Sequence, residues 1–274
     1  MQTCLTGTRS KEPVSAPPAR APVHLTGKNF YASLIGERHF SRLFEAIDSD
    51  RFGSGGMQIL KDCRSTTLAF INGREFGLEY DLCLKRINYK GLPHFLSKKI
   101  FGNRASRLWK INNSLLKKGI PVPHPIGFLE PVSFRRKVFY YISEFIGNAF
   151  QLAECIVTDG EKTALLVGKS IADFHNAGYI HGDLKWENII LKRDGANYRP
   201  FLLDMDQATL CGNGPDIRGI KRDLFQFYRF GLLFGGKEWM DAHFIPSYKS
   251  FIGPEIDYLD VKKLAERDLL KRPY

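Results

Sequence analysis

Two short segments in the second half of the chain hold the residue types that phosphoryl transfer requires. They are His181-Gly182-Asp183-Leu184-Lys185-Trp186-Glu187-Asn188 and Phe201-Leu202-Leu203-Asp204-Met205-Asp206. A phosphoryl group in transfer carries its charge on oxygens that a divalent cation must neutralise, and the attacking hydroxyl needs a carboxylate beside it. An Asp on a loop can accept that proton. An Asn five residues on and an Asp at the end of the next strand can hold the metal. In this chain those positions are Asp183, Asn188 and Asp204.

The elements around these residues suit the task. The apolar run Ile189-Ile190-Leu191 directly follows Asn188, and Phe201-Leu202-Leu203 leads into Asp204, with Gly195 and Asn197 marking a turn between them. A helix is expected at 160–177, where Ala164, Val167, Ile171 and Phe174 recur at helical spacing and Gly178 ends the run. Upstream, 57–62, 65–71 and 79–87 read as neighbouring strands of an antiparallel meander, Tyr80, Leu82 and Leu84 alternating with Asp81, Cys83 and Lys85. A helix is expected at 103–118 on Ala105, Leu108, Ile111 and Leu115, stopped by Gly119. The proline-rich 120–125 must be extended, and 137–146 reads as a further strand. The first half is therefore rich in strands and the second in helices, with the crossover near 144–150.

Composition sets the outer bounds. The chain has 274 residues, 43% of them hydrophobic and 25% charged, as in folded proteins and unlike collagen, coiled coils or disordered chains. Forty Lys and Arg against 29 Asp and Glu give a net charge of +11, which points to an anionic partner. Cys4, Cys63, Cys83, Cys155 and Cys211 are scattered without a C-x-x-C pair and read as reduced thiols of a cytoplasmic protein. No apolar stretch is long enough to span a membrane, and the opening residues lack a secretory signal. Residues 1–25, with Pro13, Pro17, Pro18 and Pro22, read as a disordered leader.

The arrangement resembles the protein-kinase-like superfamily. Asp183 and Asn188 match its H-x-D-x-x-x-x-N loop and Asp204 its metal-binding Asp, here in D-M-D, with Gly182 making the H-G-D variant. The resemblance implies an α+β fold of two lobes, a small antiparallel-sheet lobe over 26–146 and a mostly helical lobe over 147–274. ATP and Mg²⁺ would bind between them. It implies Asp183 as catalytic base, Lys185 beside the transferred group, Lys85 on the α/β-phosphates, and Asn188 and Asp204 as metal ligands. It also implies that Glu144 and Ile146 lie at the adenine-facing hinge. Two departures stand out. No G-x-G-x-x-G joins the first two strands, so the 61–65 turn and Arg64 are the candidates for meeting phosphate. Between Asp81 and Glu130 there is no acidic residue, so the helix at 103–118 lacks the Glu that usually pairs with the lysine. Its polar inward candidates are Asn112 and Asn113.

Within the superfamily the chain most resembles the bacterial lipopolysaccharide core kinases, over about residues 55–235. The resemblance rests on Lys61-Asp62, Lys85, Trp109 followed by Gly119-Ile120-Pro121-Val122-Pro123-His124-Pro125, Glu144, the two acidic segments and Arg222-Asp223-Leu224 with Arg229. It implies phosphorylation of a heptose or Kdo hydroxyl on an anionic lipid A–core acceptor, in the cytoplasm at the inner face of the inner membrane, without nucleic acid. The basic first half suits such an acceptor. Lys98, Lys99, Arg104, Arg107, Lys110, Lys117 and Lys118 form either a solvated helix face or a contact for anionic lipid and glycan. Two other readings stay open on the same fold: an atypical protein or small-metabolite kinase, and a nucleotide-binding pseudokinase.

Overall fold

Apolar residues alternating with polar ones build the first half into one sheet with a helix on each face. The computed structural model describes residues 22–35, 40–49, 56–88, 104–132, 138–212, 216–234 and 236–271. In chain order the first half runs β1 (Pro22–Thr26), β2 (Phe30–Ile35), α1 (Phe40–Asp48), β3 (Met57–Cys63), β4 (Thr66–Ile71), β5 (Leu82–Asn88), α2 (Arg104–Lys117), β6 (Pro125–Pro131) and β7 (Val138–Glu144). The seven strands form one antiparallel sheet in the order β1-β2-β6-β7-β5-β4-β3.

The expected meander is present as β3, β4 and β5, and α2 stops just before Gly119 as expected. Four elements of the first half were not anticipated: β1, β2, α1 and β6. Strand β1 takes in the last residues of the segment read as a leader, because Leu25 packs on the sheet core and the strand pairs along β2. Strand β2 buries Phe30, Ala32 and Leu34, while α1 buries Phe40, Leu43 and Ile47 against the same face. The rest of the expected leader, with Cys4, and Lys98 and Lys99 of the basic set lie outside the described residues.

The alternation of β5 and β7 decides where Lys85 points. Leu82, Leu84, Tyr140 and Ile142 face the α1 side, whereas Ile87, Phe139 and Tyr141 join the core shared with α2 and the second lobe. Lys85 lies opposite Tyr141 in register, so its side chain is directed toward α2 and away from α1.

The second half runs β8 (Ala149–Gln151), α3 (Leu152–Thr158), α4 (Gly160–Asn176), β9 (Tyr179–Ile180), a 3₁₀ turn (Trp186–Asn188), β10 (Ile189–Asp194), β11 (Asn197–Leu202) and β12 (Thr209–Leu210). It continues with α5 (Ile217–Phe234), α6 (Gly236–Trp239), a π-helical turn (Met240–Phe244), α7 (Ile245–Phe251) and α8 (Tyr258–Lys271). The expected inward face of α4 is fully buried at Ala164, Val167, Ile171 and Phe174. The strands β8, β10 and β11 form a small sheet, and β9 pairs with β12. The four described cysteines, Cys63, Cys83, Cys155 and Cys211, are free thiols, as expected. No helix among the described residues is long and apolar enough to cross a membrane.

The unanticipated β1–β2–α1 unit is closed by one side chain. Asp48, at the end of α1, accepts from the amides of Lys28, Asn29 and Phe30 at 2.9, 2.8 and 2.9 Å. Hydrogen bonds to a charged acceptor contribute about 1.5–3 kcal/mol. Asp48→Ala should therefore lower the unfolding free energy by about that amount in urea titration, and amide exchange should rise across 22–35. Unchanged exchange there would show that the strands hold the turn without it.

Candidate active site

The His181-Gly182-Asp183 segment is held from beneath by one buried carboxylate. Asp223, on α5 and 1% exposed, accepts from the His181 amide at 2.6 Å and the Gly182 amide at 2.8 Å. His175 lies 3.3 Å from the same carboxylate through Nε2, and its Nδ1 is 2.8 Å from the Tyr248 hydroxyl. A carboxylate only accepts, so Nε2 of His175 carries a proton toward Asp223. Gly182 has φ +77°, and a Cβ there would lie 3.0 Å from Gln207. The left-handed backbone explains why glycine precedes Asp183.

His181 ties the loop to the second acidic segment. Its Nε2 is 2.9 Å from the Leu203 carbonyl, which fixes the proton on Nε2 and leaves Nδ1 to accept from the Asp183 amide at 3.3 Å. Burial pushes the His181 pKa down against the opposing pull of Asp223, so the ring is held neutral. Asn188 Nδ2 donates to the Asp183 carbonyl at 2.8 Å, and the Leu203 amide donates to the Asn188 carbonyl at 2.8 Å. Asp183, Asn188 and the residue before Asp204 are thus linked by direct hydrogen bonds. Lys185 Nζ lies 3.2 Å from Asp183 and above the Phe230 ring.

Above this floor, Lys85 reaches from β5 to Asp204 at 2.6 Å and to Asp206 at 2.8 Å. Burial raises the Asp204 pKa, but Lys85, with Arg104, outweighs it and holds the carboxyl below its usual range. Asp204 has φ +56°, a left-handed backbone uncommon outside glycine and asparagine and typical of residues aimed by their surroundings. On the other side of Asp206 stand two residues of α2: Arg104 bonds its carboxylate and Arg107 its carbonyl.

The remaining expected residues are more dispersed. Glu144 ends β7, and the amides of Glu144, Phe145 and Gly147 are committed to His124, Asp81 and Phe145. The Ile146 amide has no backbone partner among the described residues. Arg64 stands exposed at the β3–β4 turn, which Thr67 closes on Asp62 at 2.6 Å, and makes no ion pair with the acidic cluster among the described residues. Asn112 and Asn113 do not take up the lysine. Asn112 is buried against the Tyr141 hydroxyl at 2.9 Å, and Asn113 bonds back to the Trp109 carbonyl. Sequence reasoning missed the parts played by Asp223, Arg104 and Arg107. Only the absence of acid between Asp81 and Glu130 signalled that Lys85 must find its partner elsewhere.

Hard oxygen donors suit Mg²⁺. Asn188 spends its amide nitrogen on Asp183 and so keeps its oxygen, Asp204 is ionised, and Asp206 Oδ1 is buried without a hydrogen-bond partner. Among the described residues no cluster of three or more His, Cys, Asp or Glu could hold a metal alone.

Comparison with known proteins agrees with this geometry. The sequence model of the Lipopolysaccharide kinase (Kdo/WaaP) family matches residues 84–246, more than half of the chain. The chain belongs to this family. A 3-deoxy-D-manno-octulosonic acid kinase of Mannheimia succiniciproducens is 29% identical over 150 residues, covering 50% of this chain and 61% of the relative. A protein of the same name from Xylella fastidiosa is 27% identical over 138 residues, covering 49% and 52%. The chain thus spans between half and two thirds of these relatives. The structure of WaaP in complex with acyl carrier protein superimposes with a TM-score of 0.59 at 16% identity, covering 87% of this chain and 98% of that one. The fold is therefore the two-lobe kinase-like fold, with the small antiparallel sheet and mostly helical lobe that the sequence implied.

Asp223 is a fully enclosed carboxylate beneath the His181-Gly182 backbone. Replacing it by Ala leaves two loop amides and His175 without their acceptor. The expected cost is about 3–5 kcal/mol of unfolding free energy, measured by urea titration, whereas Asp268→Ala, at a part-exposed pair with Arg229, should cost about 1 kcal/mol or less. Equal costs would show that the loop does not depend on Asp223.

Proposed function

We propose that this chain transfers the γ-phosphoryl group of ATP to a sugar hydroxyl of the lipopolysaccharide inner core. The observation that carries this reading is the bonded chain joining Asp183, Asn188 and Leu203-Asp204, with Lys85 on Asp204. Of the two sugars the sequence left open, Kdo is favoured over heptose, because both matched relatives bear the Kdo kinase name.

In this reading Asp183 accepts the proton of the attacking hydroxyl, a role worth about 10²–10⁴ in rate. Lys185, already paired with Asp183, turns its ammonium to the charge of the transferred group. Lys85 holds the α- and β-phosphates, and the amide of Ile146, beside Glu144, meets adenine. The β3–β4 turn with Arg64 covers the phosphates in place of a glycine-rich loop. Asn188 and Asp204 would hold Mg²⁺, which neutralises phosphate charge when bound. Phosphate oxygens are welcome at this junction because Lys85, Arg104 and Arg107 outnumber Asp204 and Asp206. The acceptor is an anionic glycolipid, met at the inner face of the membrane by exposed Lys110 and Lys117. Arg104 and Arg107 are committed to Asp206 and are subtracted from that face.

Two experiments bear on this. With labelled ATP, Mg²⁺ and Kdo-bearing lipid A, wild type should label the glycolipid, and Asp183→Asn should lose about 10²–10⁴ of the rate while still binding nucleotide. Label appearing only in a parallel protein mixture would favour the protein-kinase reading, and no label despite nucleotide binding the pseudokinase. Pelleting with vesicles containing anionic lipid should weaken steadily as salt rises. Binding indifferent to salt would contradict the electrostatic account of the membrane contact.

A further inference from the structure

In the kinase-like arrangement the phosphate lysine is steadied by a carboxylate on the small-lobe helix. Here that helix, α2, has no carboxylate, and the residues it turns toward the lobe junction are arginines. A cation cannot hold a cation, so an anion must stand between them. Asp206 stands there. Its Oδ2 lies 2.8 Å from Lys85 Nζ and also accepts from Arg104, its carbonyl accepts from Arg107, and its side chain is 5% exposed. We infer that Asp206 is a positioning residue that fixes Lys85 and locks it to α2, replacing the helix carboxylate with an arginine–aspartate–lysine bridge whose anion belongs to the large lobe.

The bridge matters because of the second partner of Lys85. Asp204, 2.6 Å away, is the carboxylate proposed to face the metal. With Asp206 in place, Lys85 keeps an anionic partner when Asp204 turns to the cation. Without Asp206, ammonium and divalent cation compete for Asp204, and Arg104 loses its place at the same time. The difference in exposure agrees with this division, since the Asp204 side chain is 40% exposed and can exchange partners while that of Asp206 is sealed.

The inference rests on the kinase reading for its metal and nucleotide, and the test separates the two. Full-length wild type, Asp206→Asn, Arg104→Met and the double variant would be compared in three ways. Without ligand, amide exchange over 104–117 should rise about 10- to 100-fold in each single variant, the loss of a charge-assisted bond. The double variant should rise no further, because both changes cut one link. With a non-hydrolysable ATP analogue, the Mg²⁺ concentration for half-maximal binding should rise about tenfold in Asp206→Asn and much less in Arg104→Met. With Kdo-bearing lipid A, kcat should fall about tenfold or more while KM for the glycolipid stays within about twofold, and Asp206→Glu should recover part of the loss. Exchange, Mg²⁺ requirement and kcat all unchanged in Asp206→Asn, or strictly additive effects in the double variant, would overturn the inference. Should Asp206→Asn fail to fold, Arg104→Met, altered at a side chain 36% exposed, still reports the exchange change. Wild type that neither binds the nucleotide analogue nor transfers phosphate would instead sink the kinase reading, and with it the assignment to Lys85.

Discussion

Lys85, Arg104 and Arg107 converge on Asp204 and Asp206, and this cluster is the constraint on which the rest of the structure turns. It takes one member from the sheet, two from α2 and two from the loop after β11, so it fixes the lobes against each other. Taking such charges out of water is expensive, and each ion must be met at close range to persist. Lys85 satisfies this with two carboxylates at 2.6 and 2.8 Å. The cations outnumber the carboxylates, which biases the junction toward an anionic ligand. The elements behind it follow from that need. The register of β5 against β7 turns Lys85 away from α1, and the buried Ala105, Leu108 and Leu115 seat α2 so that its first turn overhangs Asp206.

What the sequence revealed of this was the local part. The H-G-D loop, Asn188, the acid after β11 and Lys85 are fixed by spacing within short segments, and the helix stops at Gly119 and Gly178 are chemical punctuation readable in one dimension. The bounds of α2 and α4 came out within a residue of those expected. Strands β1 and β2 and helix α1 escaped notice because their signal is weak without the partner. Prolines before β1 suggested disorder, and only pairing with β6 makes β2 a central strand.

The same distinction explains the arginines. On a helical wheel Arg104 and Arg107 belong to a basic, solvent-facing stripe with Lys110, and sequence periodicity cannot tell the stripe's end from its middle. The end meets a loop about a hundred positions away in sequence, and the middle does not. Asp223 is a parallel case. An Asp in a helix reads as a surface residue, yet this one is buried beneath two loop amides 41 and 42 positions earlier. The gap in acidic residues from Asp81 to Glu130 was visible from the start. What it lacked was the location of the compensating charge, which is a property of the packed lobes.

These two carboxylates also show how rigidity is divided across the site. Asp223 holds the loop carrying Asp183 through buried bonds to backbone amides, and His181, neutral and fully buried, clamps that loop to Leu203. The groups facing the junction are different, with side chains of Asp183, Lys185 and Asp204 exposed by 24%, 28% and 40% and joined by ion pairs. Such pairs are weak in water-accessible surroundings, so phosphate oxygens can replace them at small cost. Asp206 belongs to the junction by position but to the floor by burial. A group of that kind can keep its bond to the Lys85 ammonium while the same ammonium exchanges its other, more exposed partner, Asp204.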